Sequence, residues 1–199
     1  MKKGWKIFLV IFFILLFIGG YFVVRYSLWH KEFFFNEDVT CTSDEEFVID
    51  EKEINIVDRI KNFVLSDFFS EFVTFSRKEM LFLLKDSMSG ISGWNIDNIC
   101  LVSEKGVWRV YTHGKIESLQ LLWIGVDVIK DNRQTAELYS RNIYVGGMKV
   151  PSFLIRNLLE KINKGISDAL ILVTENGFLG KSIENIDLLK DSIVIKGGF

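Results

Sequence analysis

Histidine and cysteine occur only twice each in this 199-residue chain, and that scarcity closes off several kinds of chemistry. A metal site draws on clustered His, Cys and carboxylate ligands, yet His30 stands alone beside an apolar run and His113 alone in Tyr111-Thr112-His113-Gly114. A lone histidine at a strand end reads as structural. Two cysteines set no disulfide framework. Cys41 and Cys100 would pair only in an oxidising compartment, and Cys100, within Ile99-Cys100-Leu101-Val102, reads more simply as a small buried apolar residue. The G-x-S-x-G nucleophile elbow is missing, because Gly90-Ile91-Ser92-Gly93-Trp94 puts Trp94 where the last glycine must stand. Gly146-Gly147 leads into Met148-Lys149-Val150-Pro151 without the residues of a phosphate-cradling loop. Glu184 and Asp187 are three apart, so on a strand they point to opposite faces and cannot pair as acid and base. No catalytic residue, metal ligand or cofactor is assigned, and the chain reads as non-enzymatic. One proline and two alanines against abundant Phe, Ile, Lys and Asn point to an AT-rich genome, not to an activity.

Charge is absent from Ile7 to Val24, eighteen consecutive residues preceded by Lys2, Lys3 and Lys6. As a helix this run measures about 27 Å, close to the hydrocarbon thickness of a bilayer. A cleaved leader has a shorter apolar region ending in small residues, whereas Gly19-Gly20 is followed by Tyr21-Phe22-Val23-Val24-Arg25. Cys41 lies too far beyond the run for lipid attachment. Trp5 at one end and Tyr21, Tyr26 and Trp29 at the other match interfacial aromatic belts. The run is therefore expected to be an uncleaved, single-pass signal anchor in the cell membrane. Lysines before it set the N-terminus in the cytoplasm and the C-terminal domain outside. Five of the 24 basic residues and none of the 26 acidic ones lie in residues 1–31, which leaves 19 against 26 beyond, a net charge of about −7. Such a domain is no nucleic-acid binder by charge. Contact with lipid would have to be apolar.

Three segments are expected: residues 1–31 as cytoplasmic tail and transmembrane anchor, 32–50 as an acidic juxtamembrane linker, and 51–199 as one extracytoplasmic α+β domain. Val57, Ile60, Val64 and Phe68 mark a first helix, and Glu71–Phe75 a strand. Ser76-Arg77-Lys78-Glu79 is a capping box opening a second helix, which would bury Met80, Leu83, Leu84 and Met88. From Trp94 onward, strands separated by turns at Glu104-Lys105-Gly106, Lys130-Asp131-Asn132 and Gly146-Gly147 predict an antiparallel meander. Its run Leu119–Ile129 is apolar on both faces and must be covered twice, as in a sheet that packs on a helix or curls around an apolar ligand. Val150-Pro151 ends the strand and suits a first helical turn. The helix expected over Ser152–Ser167 would turn Leu154, Leu158, Ile162 and Ile166 inward. Strands at Leu170–Thr174, Phe178–Leu188 and Ser192–Lys196 would follow, the first two joined at Asn176-Gly177.

The closing pattern Ile183-Glu184-Asn185-Ile186-Asp187-Leu188, then Asp191-Ser192-Ile193-Val194-Ile195-Lys196-Gly197, resembles the last strands of small membrane-anchored bacterial proteins of the YpmS type and related tubular lipid-binding (TULIP-like) domains. The single anchor, the Ser76-capped helix before the meander and the Pro151 helix before the last hairpin follow the same order. The resemblance implies a curved antiparallel sheet packed on a long helix, with an interior able to hold an acyl chain, and it carries no catalytic residues. The function expected is binding of a lipid or other apolar ligand, with Leu122, Ile124, Val126, Leu154 and Leu158 lining the site. The alternative is a scaffold or assembly subunit of a cell-envelope complex with a solid interior and a protein partner.

Overall fold

The computed structural model describes residues 2–36, 38–43, 56–65, 70–89, 95–104, 106–116, 119–120, 122–130, 136–176 and 182–198. A 33-residue helix, α1 (Lys2–Phe34), opens it. At 1.5 Å per residue this is roughly 50 Å of helix, and it continues nearly three turns past Val24, where the uncharged run ends. Trp5–Phe34 is long and apolar enough to cross a membrane, and its most apolar stretch is not covered by the rest of the chain.

Two antiparallel sheets follow. The larger has the order β1 (Val39–Cys41), β3 (Asn95–Glu104), β4 (Val107–Ile116), β6 (Ile124–Lys130), β7 (Leu138–Val145), β8 (Met148–Lys149), with β5 (Leu119–Gln120) pairing on β4. The smaller runs β2 (Ser70–Ser76), β10 (Ser192–Gly198), β9 (Ser182–Leu188). Three further helices are α2 (Ile56–Leu65), α3 (Arg77–Ser89) and α4 (Ser152–Asn176). The fold is α+β, with one helix able to span a membrane ahead of an antiparallel sheet and a long helix, as the sequence predicts.

Alternation along the strands gives the large sheet two buried faces. Ile99, Leu101 and Trp108 point to one side, where they meet Leu81 of α3 and Ile186, Leu188 and Ile193 of the small sheet. Leu81 is wholly enclosed, a burial that contributes about 1.5–3 kcal/mol. Trp108 Nε1 also donates to the Leu189 carbonyl at 2.7 Å, tying one sheet to the other. The capping box forms reciprocally: Ser76 N donates to Glu79 Oε2 at 2.8 Å, and Glu79 N donates to Ser76 Oγ at 3.3 Å. Beside it, Ile56 and Phe63 of α2 pack on Val73 and Phe75 of β2.

Four expectations are revised. The segment read as a linker contributes a strand, since Val39, Thr40 and Cys41 pair with Val102, Leu101 and Cys100, and the turn before it is held by Arg77, whose Nη1 donates to the Asp38 carbonyl at 2.9 Å. Helix α3 centres its packing on Leu81, with Met80, Leu83 and Leu84 only partly buried. Leu170–Thr174 is not a strand, because α4 continues unbroken to Asn176; a β-branched run at the end of a long helix mimics a strand in sequence. The inward stripe of α4 is Ile155, Leu159, Ile162, Asn163 and Ile166, while Leu154 and Leu158 are exposed. Asn163 anchors that stripe: its Oδ1 accepts from Ser140 N at 2.6 Å and Ser140 Oγ at 2.8 Å. The side chains of Val57, Ile60, Val64, Phe68 and Met88, and the segments 90–94 and 131–135, lie outside the described residues.

Candidate functional site

The last turns of α1 lie on the second face of the large sheet. Tyr26, Trp29 and Phe33 recur at intervals of three and four, which puts them on one side of a helix. Trp29 and Phe33 meet Tyr111 at ring-centroid distances of 5.4 and 4.7 Å, and Phe33 meets Trp123 at 6.2 Å. Two glycine positions make the fit. A Cβ on Gly125 would fall 2.4 Å from the Tyr111 ring, and one on Gly147 would fall 2.1 Å from the Trp29 indole. Gly146, at φ +58°, turns the β7–β8 hairpin against Tyr26. The backbone of Trp123 is tied to both partners, donating to Tyr26 Oη at 3.4 Å and accepting from Gly146 N at 2.7 Å. A disulfide between Cys41 and Cys100 closes the same cluster.

Next to this aromatic seat is a polar network. The Asp127 carboxylate is buried and accepts from Arg109 Nε, from Asn142 Nδ2 at 2.8 Å and from Tyr144 Oη at 2.9 Å. The Arg109 guanidinium also lies 4.2 Å from the Tyr144 ring centroid. Burial works to raise the Asp127 carboxyl, but the bonds from Arg109, Asn142 and Tyr144 and the Arg109 charge outweigh it and hold it below the usual carboxylate range. Burial also lifts both Tyr111 and Tyr144 above the ordinary phenol value. Each group is partnered, so the network specifies register. Its signal in the sequence is a single acid, Asp127, inside an otherwise apolar run with an arginine eighteen residues before it. A depressed carboxyl stabilises the fold fully above its unfolded value near 3.9 and loses that contribution as pH falls through the folded value. Asp127→Asn should therefore cost about 2 kcal/mol at neutral pH, less than the 3–5 kcal/mol of a fully buried pair because Arg109 is 31% exposed. It should also flatten the loss of stability below about pH 4, as measured by thermal melts across pH 3–7.

Between α1 and the β7–α4 segment lies an open cleft of about 710 Å³, within the range of small-molecule sites. Phe22, Val23, Tyr26 and Ser27 of α1 form one wall. Leu122, Val145, Met148, Lys149, Val150, Pro151 and Leu154 form the other. The hairpin is aimed by Val150 N, which donates to the Ile143 carbonyl at 2.9 Å, and α4 begins as Leu154 N donates to the Pro151 carbonyl at 3.0 Å. Polar groups in the lining are confined to Ser27, Lys149 and the Tyr26 hydroxyl. This arrangement can hold an apolar chain and pair an anionic end with Lys149; it places no acid–base pair against an occupant.

Of the five residues expected to line a ligand site, Leu122 and Leu154 border this cleft. Ile124 and Val126 are half-buried further along the same face of β6 and stay outside the cleft, and Leu158 is exposed one turn beyond Leu154. This cleft thus lies against α1, and α4 reaches it through Leu154 in its first turn. Sequence reasoning missed Tyr26 and Met148 as parts of the cleft lining; for Tyr26, the helical spacing of Tyr26, Trp29 and Phe33 was the available signal. The other polar candidates are dispersed. His113 stacks on Trp123 at 5.0 Å, Glu184 pairs with Lys196 at 3.0 Å and Asp187 with Lys130 at 3.2 Å. Among the described residues no three His, Cys, Asp or Glu side chains converge on a point. No family model, curated protein or solved structure matches this chain.

Proposed function

We propose that this protein is a membrane-anchored, extracytoplasmic binder of a lipid or other apolar ligand, non-enzymatic, with its site in the cleft between anchor and domain. The observation that carries the reading is that one wall of the cleft, Phe22 and Val23, belongs to the uncharged run of α1. An acyl chain could pass from bilayer to cleft without crossing water. The lysines ahead of the run and the Cys41–Cys100 disulfide both support an outward-facing domain. Kinship with YpmS-type proteins is part of the same proposal and is supported by element order and by the pattern of the closing strands. An envelope scaffold is the second reading, favoured by the apolar surface at Phe153, Leu154 and Leu158 that the chain leaves uncovered.

The test is native mass spectrometry of the full chain, extracted from bacterial membranes in mild detergent, followed by lipid analysis. A retained lipid is expected, and Met148→Trp, which fills the cleft, should reduce it by at least fivefold. A clean apo mass that persists after incubation with lipid would sink the binding reading.

A further inference from the structure

We infer that the first two turns of α4 are seated in the outer leaflet of the membrane that α1 crosses, so that the domain touches the bilayer at a second place. This rests on the anchoring reading but not on occupancy of the cleft.

Depth comes first. Leu154 shares the cleft with Phe22 and Val23, the second- and third-last residues of the charge-free run. Where those two residues meet hydrocarbon, Leu154 meets it too. The geometry is also held: α1 is packed on the sheet through Trp29 and Phe33 and seated on the Gly146-Gly147 turn, so the domain cannot swing α4 away without leaving its own core.

Composition agrees with depth. The core takes Ile155, Leu159, Ile162 and Ile166 from α4, which leaves Phe153, Leu154 and Leu158 exposed at 79%, 66% and 50%. None of the three serves the core. At 3.6 residues per turn, Leu154 and Leu158 share the flank opposite Arg156 and Glu160, which pair with each other at 3.4 Å. Lys161, seven residues after Leu154, returns on the apolar flank where its ammonium can reach phosphates, and Lys149 is an exposed cation in the cleft lining. A net charge of about −7 beyond residue 31 gives the domain no general attraction to an anionic surface, so apolar insertion is the means of contact. Continuity with the apolar run of α1 favours a bilayer over a protein as the occupant of this flank.

Site-directed spin labelling tests it on the full chain in phosphatidylcholine nanodiscs, since the two cysteines are tied in a disulfide. Nitroxides introduced through Leu154→Cys and Leu158→Cys should collide more with oxygen than with a water-soluble nickel chelate. Labels at Arg156→Cys and Glu160→Cys should show the reverse. Equal, aqueous accessibility at all four positions would overturn the inference and return the flank to a protein partner. A label through Phe17→Cys reads the anchor itself: an aqueous value there would defeat the anchoring reading as well, whereas a buried value beside aqueous α4 labels would defeat this inference alone.

Discussion

Phe33→Ala is expected to remove about 3–5 kcal/mol of stability, as large aromatic truncations in packed sites do, and to lower Tm by roughly 10 °C. Phe33 is 7% exposed, and its ring sits 4.8 Å from Trp29 and 4.7 Å from Tyr111. Its loss opens a cavity that α1 cannot close by shifting, because Tyr26 and Trp29 are already against Gly146 and Gly147. Near-UV circular dichroism of the detergent-solubilised chain reports both the melt and the loss of ordered aromatics. The same reasoning makes a fragment beginning at residue 32 a poor substitute for the full chain, since it would leave Tyr111 and Trp123 without Tyr26 and Trp29. An unchanged melt for Phe33→Ala would mean that α1 does not pack on the sheet.

Removing the disulfide with Cys41→Ala and Cys100→Ala should cost about 4 kcal/mol on the chain-entropy account for a 59-residue separation. The two residues face each other in the ladder, with Cα atoms 4.0 Å apart, so the bridge clamps a three-residue strand at the edge of the sheet. Without it β1 is expected to fray first, and the end of α1 with it. Limited proteolysis near residues 36–43, with and without reductant, measures this directly. Alkylation of the untreated protein gives the complementary result: cysteines inert until reduced fit an oxidising compartment, and full labelling without reductant would place the domain in a reducing one.

Features that depend on short-range chemistry were legible in the sequence. The charge-free run, the Ser76–Glu79 capping box, the single Pro151 ahead of α4 and the turns at Gly106 and Gly146-Gly147 each act within a few residues, and each stands where the pattern puts it. Features that depend on two segments meeting were not. Tyr26 and Trp29 serve equally well as an interfacial belt and as a docking stripe, and only the opposing glycines distinguish them. Helix α4 carries two apolar flanks; periodicity finds both but cannot say that the one through Ile155 goes inward. Cys41 and Cys100 became partners through strand register, which no spacing rule supplies for a pair so far apart.

The uninterrupted helix from Lys2 to Phe34 also sets how this protein would search. With α1 in a bilayer there is no hinge between anchor and domain, so height above the membrane and tilt are fixed together, and the azimuth about the membrane normal is the one free angle. Encounters are then confined to a thin layer and governed by lateral diffusion. Anything that this domain meets must present itself within a few nanometres of the lipid surface, and at a particular rotational phase of the helix.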